Sequence, residues 1–96
     1  MHADDRFLYA NPAALRLYGA ASLEQLQRHR VLELIHPGER ELVRGRMLAA
    51  KTQRTPVAEE RLLRLDGQAV PIEASGQQIV YEGRIAVQAV LRDISE

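Results

Sequence analysis

The stretch from Arg61 to Ser75 (Arg-Leu-Leu-Arg-Leu-Asp-Gly-Gln-Ala-Val-Pro-Ile-Glu-Ala-Ser) constrains the fold more than any other part of the 96-residue chain. Asp66-Gly67 is a hairpin signal, because tight turns that match strand twist need residues that tolerate positive φ. Before the turn, Leu63 and Leu65 alternate with Leu62 and Arg64. After it, Val70, Ile72 and Ala74 alternate with Pro71, Glu73 and Ser75. Alternation with period two marks strands with one buried and one wet face. Pro71 has no N–H to give, which puts it at a non-bonding ladder position or a bulge. A further strand, Arg84 to Ile94, follows within hairpin distance, so an antiparallel sheet near the C-terminus is the platform for the rest.

Upstream of that sheet the pattern is helical. Residues 6 to 10 read as a short strand, with Phe7 and Tyr9 on one face and Leu8 on the other. Asn11-Pro12 opens a helix: Asn accepts from the first free N–H groups, and Pro at the first helical position loses a donor without a partner. Gly19 is placed as its left-handed stop. Ser22 starts a second helix, with Gln25 at capping-box spacing and Leu23 and Leu26 on its buried side, fading near His29-Arg30. Val31 to Ile35 is an apolar connector whose class the pattern leaves open. His36-Pro37-Gly38-Glu39-Arg40 starts a longer helix, expected to run to about Gln53, with Leu42, Val43, Met47 and Ala50 at helical spacing. Strand, short helices, one longer helix and three antiparallel strands make an α+β domain with helices gathered on one sheet face.

Composition narrows the function classes. A chain of 96 residues supports one core, and 46% apolar with 27% charged residues describes a globular rather than a disordered chain. Thirteen basic and thirteen acidic side chains cancel, which argues against a broad nucleic-acid surface. With no cysteine there is no disulfide, no thiolate nucleophile and no Cys-based zinc site. No apolar run spans a bilayer and Met-His-Ala-Asp-Asp-Arg is no signal peptide, so the expected location is the cytoplasm. Glycine-rich phosphate loops, H-E-x-x-H and a nucleophile elbow are all missing, so the chain is read as a non-enzyme.

In this order the motifs resemble a PAS domain, the sensory module of histidine kinases of two-component systems, cyclic-dinucleotide enzymes and some transcription regulators. Tyr9-Ala10-Asn11-Pro12-Ala13-Ala14 is similar to the turn from the second PAS strand into the first helix. His36-Pro37-Gly38-Glu39-Arg40 resembles the "HP-x-x-R" start of the long helix. Arg61 to Glu73 looks like the G–H hairpin, and Arg92-Asp93-Ile94-Ser95-Glu96 is similar to the "D-I-T/S-E" ending. The resemblance implies one domain over residues 1–96, belonging to a longer signalling protein whose effector lies beyond this chain.

One departure stands out. The family opens with a strand ahead of the turn that Asp4-Asp5-Arg6 resembles, and Met1-His2-Ala3 is expected to be too short to form it. That strand sits centrally in the family sheet, so its loss would leave the Arg84–Ile94 strand with unpaired backbone groups. The short strand around Phe7 could move, another chain's strand could fill the gap, or a dimer could cover it, and of these a homodimer with exchanged or rearranged N-terminal segments is the expectation.

The resemblance also implies a ligand or cofactor held between the sheet and the helices. Its candidate lining is Tyr18, Leu34, Leu42 and Met47 from the helical side and Ile72, Val87, Ala89 and Leu91 from the sheet, with Val70 and Ala74 facing the same way. A plain core accounts for the same pattern, since a domain this small buries most of its apolar side chains. The cofactor itself is left unknown. Flavin–cysteinyl and coumarate chemistry need a cysteine, and haem in the family takes a His from the long helix, where residues 41 to 54 have none. His36 reads as a helix cap, and His2 and His29 as exposed residues without partners at metal-site spacing. Arg61, Arg64 and Glu73 read as a solvated cross-strand ladder. Arg92, Asp93 and Ile94 are expected to relay a shift of the last strand to the effector, with Asp93 tying down the strand end.

Overall fold

The computed structural model describes residues 1–95; Glu96, the last residue of the C-terminal motif, lies outside them. Five strands form one antiparallel sheet in the order β2-β1-β5-β4-β3. They are β1 (His2–Ala3), β2 (Arg6–Phe7), β3 (Ala58–Leu63), β4 (Ala69–Tyr81) and β5 (Arg84–Asp93). Helices α1 (Pro12–Tyr18), α2 (Leu23–Leu26) and α3 (Arg40–Ala49) fill the connection between β2 and β3, with 3-10 turns at Leu32–Leu34 and Pro37–Glu39. This is the α+β arrangement expected, with four elements ending earlier: β2 stops at Phe7, α2 at Leu26, α3 at Ala49 and β5 at Asp93.

Local chemistry sets the helix ends. The Asn11 side chain accepts from Ala14 N at 2.8 Å and Gly19 closes α1 in the left-handed region at φ 71°. Ser22 Oγ accepts from Gln25 N at 3.1 Å, while Gln25 Oε1 accepts from Ala21 N at 2.7 Å, a capping box displaced by one residue. His36 caps the next turn, its Nδ1 accepting from Gly38 N at 3.1 Å, as the His-Pro pair led us to expect.

The β3–β4 hairpin forms around Asp66-Gly67, with Asp66 Oδ1 accepting from Gln68 N at 2.9 Å and Gly67 at φ 89°. Ile72 and Ala74 face the core, and Leu62, opposite Val70, is wholly buried. Pro71 lies where the β4–β5 ladder ends, and its carbonyl accepts from Ile94 N at 3.1 Å. The β4–β5 hairpin turns on Glu82-Gly83, both at positive φ.

The first strand is a correction. His2–Ala3 does form it, reduced to two residues, between β2 and β5 as the family order requires. Asp4 and Asp5 make this possible: both adopt positive φ, giving a two-residue turn of the kind that suits strand twist. Asp5 then anchors the hairpin, its Oδ1 accepting from Leu32 N at 2.9 Å and its carbonyl from Val31 N at 3.1 Å.

The core joins both layers through Phe7, Tyr18, Leu26, Val31, Leu34, Leu62, Ile72 and Ala74. Phe7 meets Tyr18 edge to face at 5.4 Å between ring centroids.

Candidate functional site

Helix α3 and its C-cap residue face the sheet through Val43, Arg46, Met47 and Ala50, spaced so that all four lie on one side. Its approach is close because Gly76 of β4 lies beneath Ala50: a Cβ there would stand 3.2 Å from Ala50 Cβ and 3.1 Å from Val87 Cγ1. Between helix and sheet lies a cavity of about 70 Å³. Ile72 and Ala74 of β4, Val87, Ala89 and Leu91 of β5, and Tyr18 of α1 complete much of its wall.

One end of this cavity is polar. Glu60 of β3 is 8% exposed, and its Oε2 accepts from Arg46 Nε at 3.1 Å. Arg46 also donates through Nη2 to the carbonyls of Pro56 at 2.8 Å and Ala74 at 3.1 Å. Burial pushes the Glu60 carboxyl above the usual carboxylate range, and the opposing pull of Arg46 does not fully offset it. Tyr18, 6% exposed, has its hydroxyl pKa raised by burial first and by the Glu60 charge second. His2 of β1 also lines the cavity, its imidazole pushed down to about 4 by burial and by the Met1 ammonium.

The structure places six of the eight candidate lining residues on this wall: Tyr18, Met47, Ile72, Val87, Ala89 and Leu91. Leu34 is buried in the core outside the cavity wall. Leu42 is a correction: it is 65% exposed, because α3 is rotated so that Val43 rather than Leu42 meets the sheet. Sequence reasoning missed Arg46, Glu60 and His2. Two charged residues fourteen positions apart look like wet surface until the fold brings them together. The proposed charge ladder is also revised. Of the three, Glu73 pairs across strands, with Arg92 at 2.6 Å, whereas Arg61 binds Glu39 at 2.6 Å and Arg64 donates to the carbonyls of Arg16 and Leu17 at the end of α1.

A cavity of about 70 Å³ lies far below the roughly 300–1,000 Å³ of pockets that enclose drug-sized ligands. A flavin or haem ring system would fit only if α3 separated from the sheet. Outside the cavity, a groove of about 650 Å³ runs between α1 and the β5 edge from Gln88 to Asp93, with Met1, Tyr9 and Arg16 among its other walls. It lies beyond the short β1, whose β5 contact stops at the His2–Val87 pair. At the strand end, Asp93 Oδ1 accepts from Ser95 N at 2.8 Å and holds the outgoing chain in an Asx turn. Among the described residues no cluster of three His, Asp or Glu side chains is placed to hold a metal ion. Nor is any helix among the described residues long and apolar enough to cross a membrane.

A curled five-stranded antiparallel sheet with a few helices packed over a small cavity defines a class of sensory and signalling modules. The family model for the PAS domain matches residues 2–96, and the chain belongs to that family. It is similar to the crystal structure of the PAS domain of a protein from Colwellia psychrerythraea, with 26% identity and a TM-score of 0.80 over 97% of this chain and 80% of that one. A PAS domain from Desulfitobacterium hafniense shares the fold, with 22% identity and a TM-score of 0.73 over 95% of this chain and 85% of that one. A comparison with curated proteins found no match.

Proposed function

We propose that this PAS domain senses a small ligand in the cavity beneath α3 and relays the change through β5 to an effector. The single observation that carries the reading is the cavity's wall: Val87, Ala89 and Leu91 belong to β5, the strand that ends in Arg92-Asp93 and leads into Ile94. A ligand that moves those three side chains acts directly on the outgoing strand. It shifts the equilibrium only by the difference in its affinity for the two states. The role is sensory rather than catalytic, in a cytoplasmic module of a signalling protein such as a histidine kinase. Native mass spectrometry of the purified chain, compared with its denatured mass, tests the reading. A non-covalent extra mass supports it; a bare chain whose cavity also takes up no small probe sinks it. Asp93→Ala in a fusion to the effector should uncouple input from output, and unchanged regulation removes Asp93 from the relay.

A second reading, assembly without a ligand, is favoured by the groove along the β5 edge. A strand edge with free N–H and C=O groups is a template for another chain. We infer a homodimer, and a monomer by light scattering across micromolar concentrations overturns it.

A further inference from the structure

We infer that the cavity selects a neutral molecule of three or four non-hydrogen atoms whose polar head both donates and accepts hydrogen bonds, such as a small alcohol or primary amide. This rests on the sensor reading above and specifies its ligand. Size comes first. A cavity of 150 Å³ in another protein takes benzene, so about 70 Å³ accommodates roughly half as many atoms.

The head group follows from the polar end. The Tyr18 hydroxyl hydrogen-bonds to none of the described residues, although the side chain is only 6% exposed. Among the described residues no fully enclosed side-chain N or O is left without a partner. The hydroxyl therefore borders open space, and Tyr18 lines the same cavity as Glu60. Glu60 engages Arg46 through Oε2 alone, which leaves Oε1 for a ligand. A head that accepts from Tyr18 and donates to Glu60 satisfies both.

Charge is excluded by the same groups. An anion would lie against Glu60, whose carboxyl already resists ionisation, and would compete with it for Arg46. A cation would lose its hydration beside a carboxylate whose charge Arg46 already balances. Val43, Met47, Ile72 and Val87 supply an apolar wall for a short aliphatic remainder. The ceiling on binding per atom holds such a ligand to tens of micromolar, roughly, at the tightest.

The test is an NMR titration of the amide-labelled chain with 2-propanol, acetamide, acetate and ethylammonium, and with xenon as the apolar probe. The expected result is saturable shifts at Ile72, Val87 and Ala89 with 2-propanol and acetamide, and at least about tenfold weaker binding of the two ions. Tyr18→Phe should weaken 2-propanol roughly three- to tenfold, the loss of one hydrogen bond, while xenon uptake stays unchanged. If xenon enters but the alcohol and amide gain nothing from Tyr18, or if acetate binds best, the head-group inference is overturned and the sensor reading stands. If no probe enters, xenon included, both are overturned.

Discussion

Glu60 shows how a single side chain changes meaning once it is buried. Arg46→Ala leaves its carboxylate without a countercharge in a site it scarcely tolerates, and should cost about 3–5 kcal/mol in chemical denaturation. Replacing both partners with apolar residues of similar size (Arg46→Met with Glu60→Leu) should restore most of that stability, because desolvation then has no charge to penalise. A double replacement as unstable as the single one would show that Arg46 acts through its bonds to the Pro56 and Ala74 carbonyls instead. His2 gives a pH signature. Its folded pKa of about 4 lies below the unfolded value of 6.5, so the unfolded chain binds the proton first as pH falls. Stability is full above about pH 6.5 and is lost toward pH 4, by about 1–3 kcal/mol for this half-buried ring. Urea melts near pH 7 and near pH 4.5 should therefore show a larger loss in the natural chain than in His2→Gln. Equal losses would assign the pH dependence to carboxylates such as Asp66 and Asp93, whose pKa values are lowered mainly by hydrogen bonds.

At the scale of elements, the two sides of the cavity are held apart and together by different devices. Gly76 lets α3 come down on β4, and Gly76→Ala forces Ala50 and Val87 to give by a few tenths of an ångström. The expected cost is about 1–3 kcal/mol, from overpacking, with altered uptake of xenon by the cavity; an unchanged melting midpoint and unchanged uptake would show that α3 moves freely. On the other side, Arg64 ties the hairpin to the end of α1 through the Arg16 and Leu17 carbonyls at 3.0 and 2.9 Å. The Leu17 carbonyl takes no backbone hydrogen bond at the helix end and the Arg16 carbonyl takes one, from Gly19 N at 3.1 Å, so the guanidinium satisfies acceptor capacity that would otherwise need water. Arg64→Leu should loosen α1, read as faster amide exchange at Tyr18 and Gly19 with protection in α3 unchanged.

For the whole molecule, the radius of gyration of 12.3 Å agrees with the roughly 12.5 Å of a compact domain of this length. The groove beside β5 is therefore a local feature of a well-packed body, bounded by α1 on one side and the strand edge on the other. A sheet edge between two walls accepts a single extended segment more readily than a second sheet. If the homodimer forms as proposed, its small-angle scattering should give a radius clearly above 12.3 Å that falls to that value on dilution. A constant radius on dilution to low micromolar would leave the groove without an occupant from a second copy.

What the sequence determined alone is the part of the fold written in neighbouring residues. Asp66-Gly67 turns its hairpin, Asn11, Ser22 and His36 start their helical turns, and Gly19 ends one, because each acts on backbone groups within four residues of itself. The family ending was legible for the same reason. Tertiary structure decided what depends on rotation and long-range approach. Leu42 and Val43 carry the same pattern in sequence, and only the azimuth of α3 sends one to solvent and the other to the core. Arg46 finds Glu60 across 14 positions, Arg64 finds Arg16 across 48, and Arg84 finds Asp4 across 80. The short β1 belongs to this second group: two residues carry too little pattern to announce a strand, and β2 and β5 on either side hold them in place. The polar end of the cavity exists only after those pairings are made.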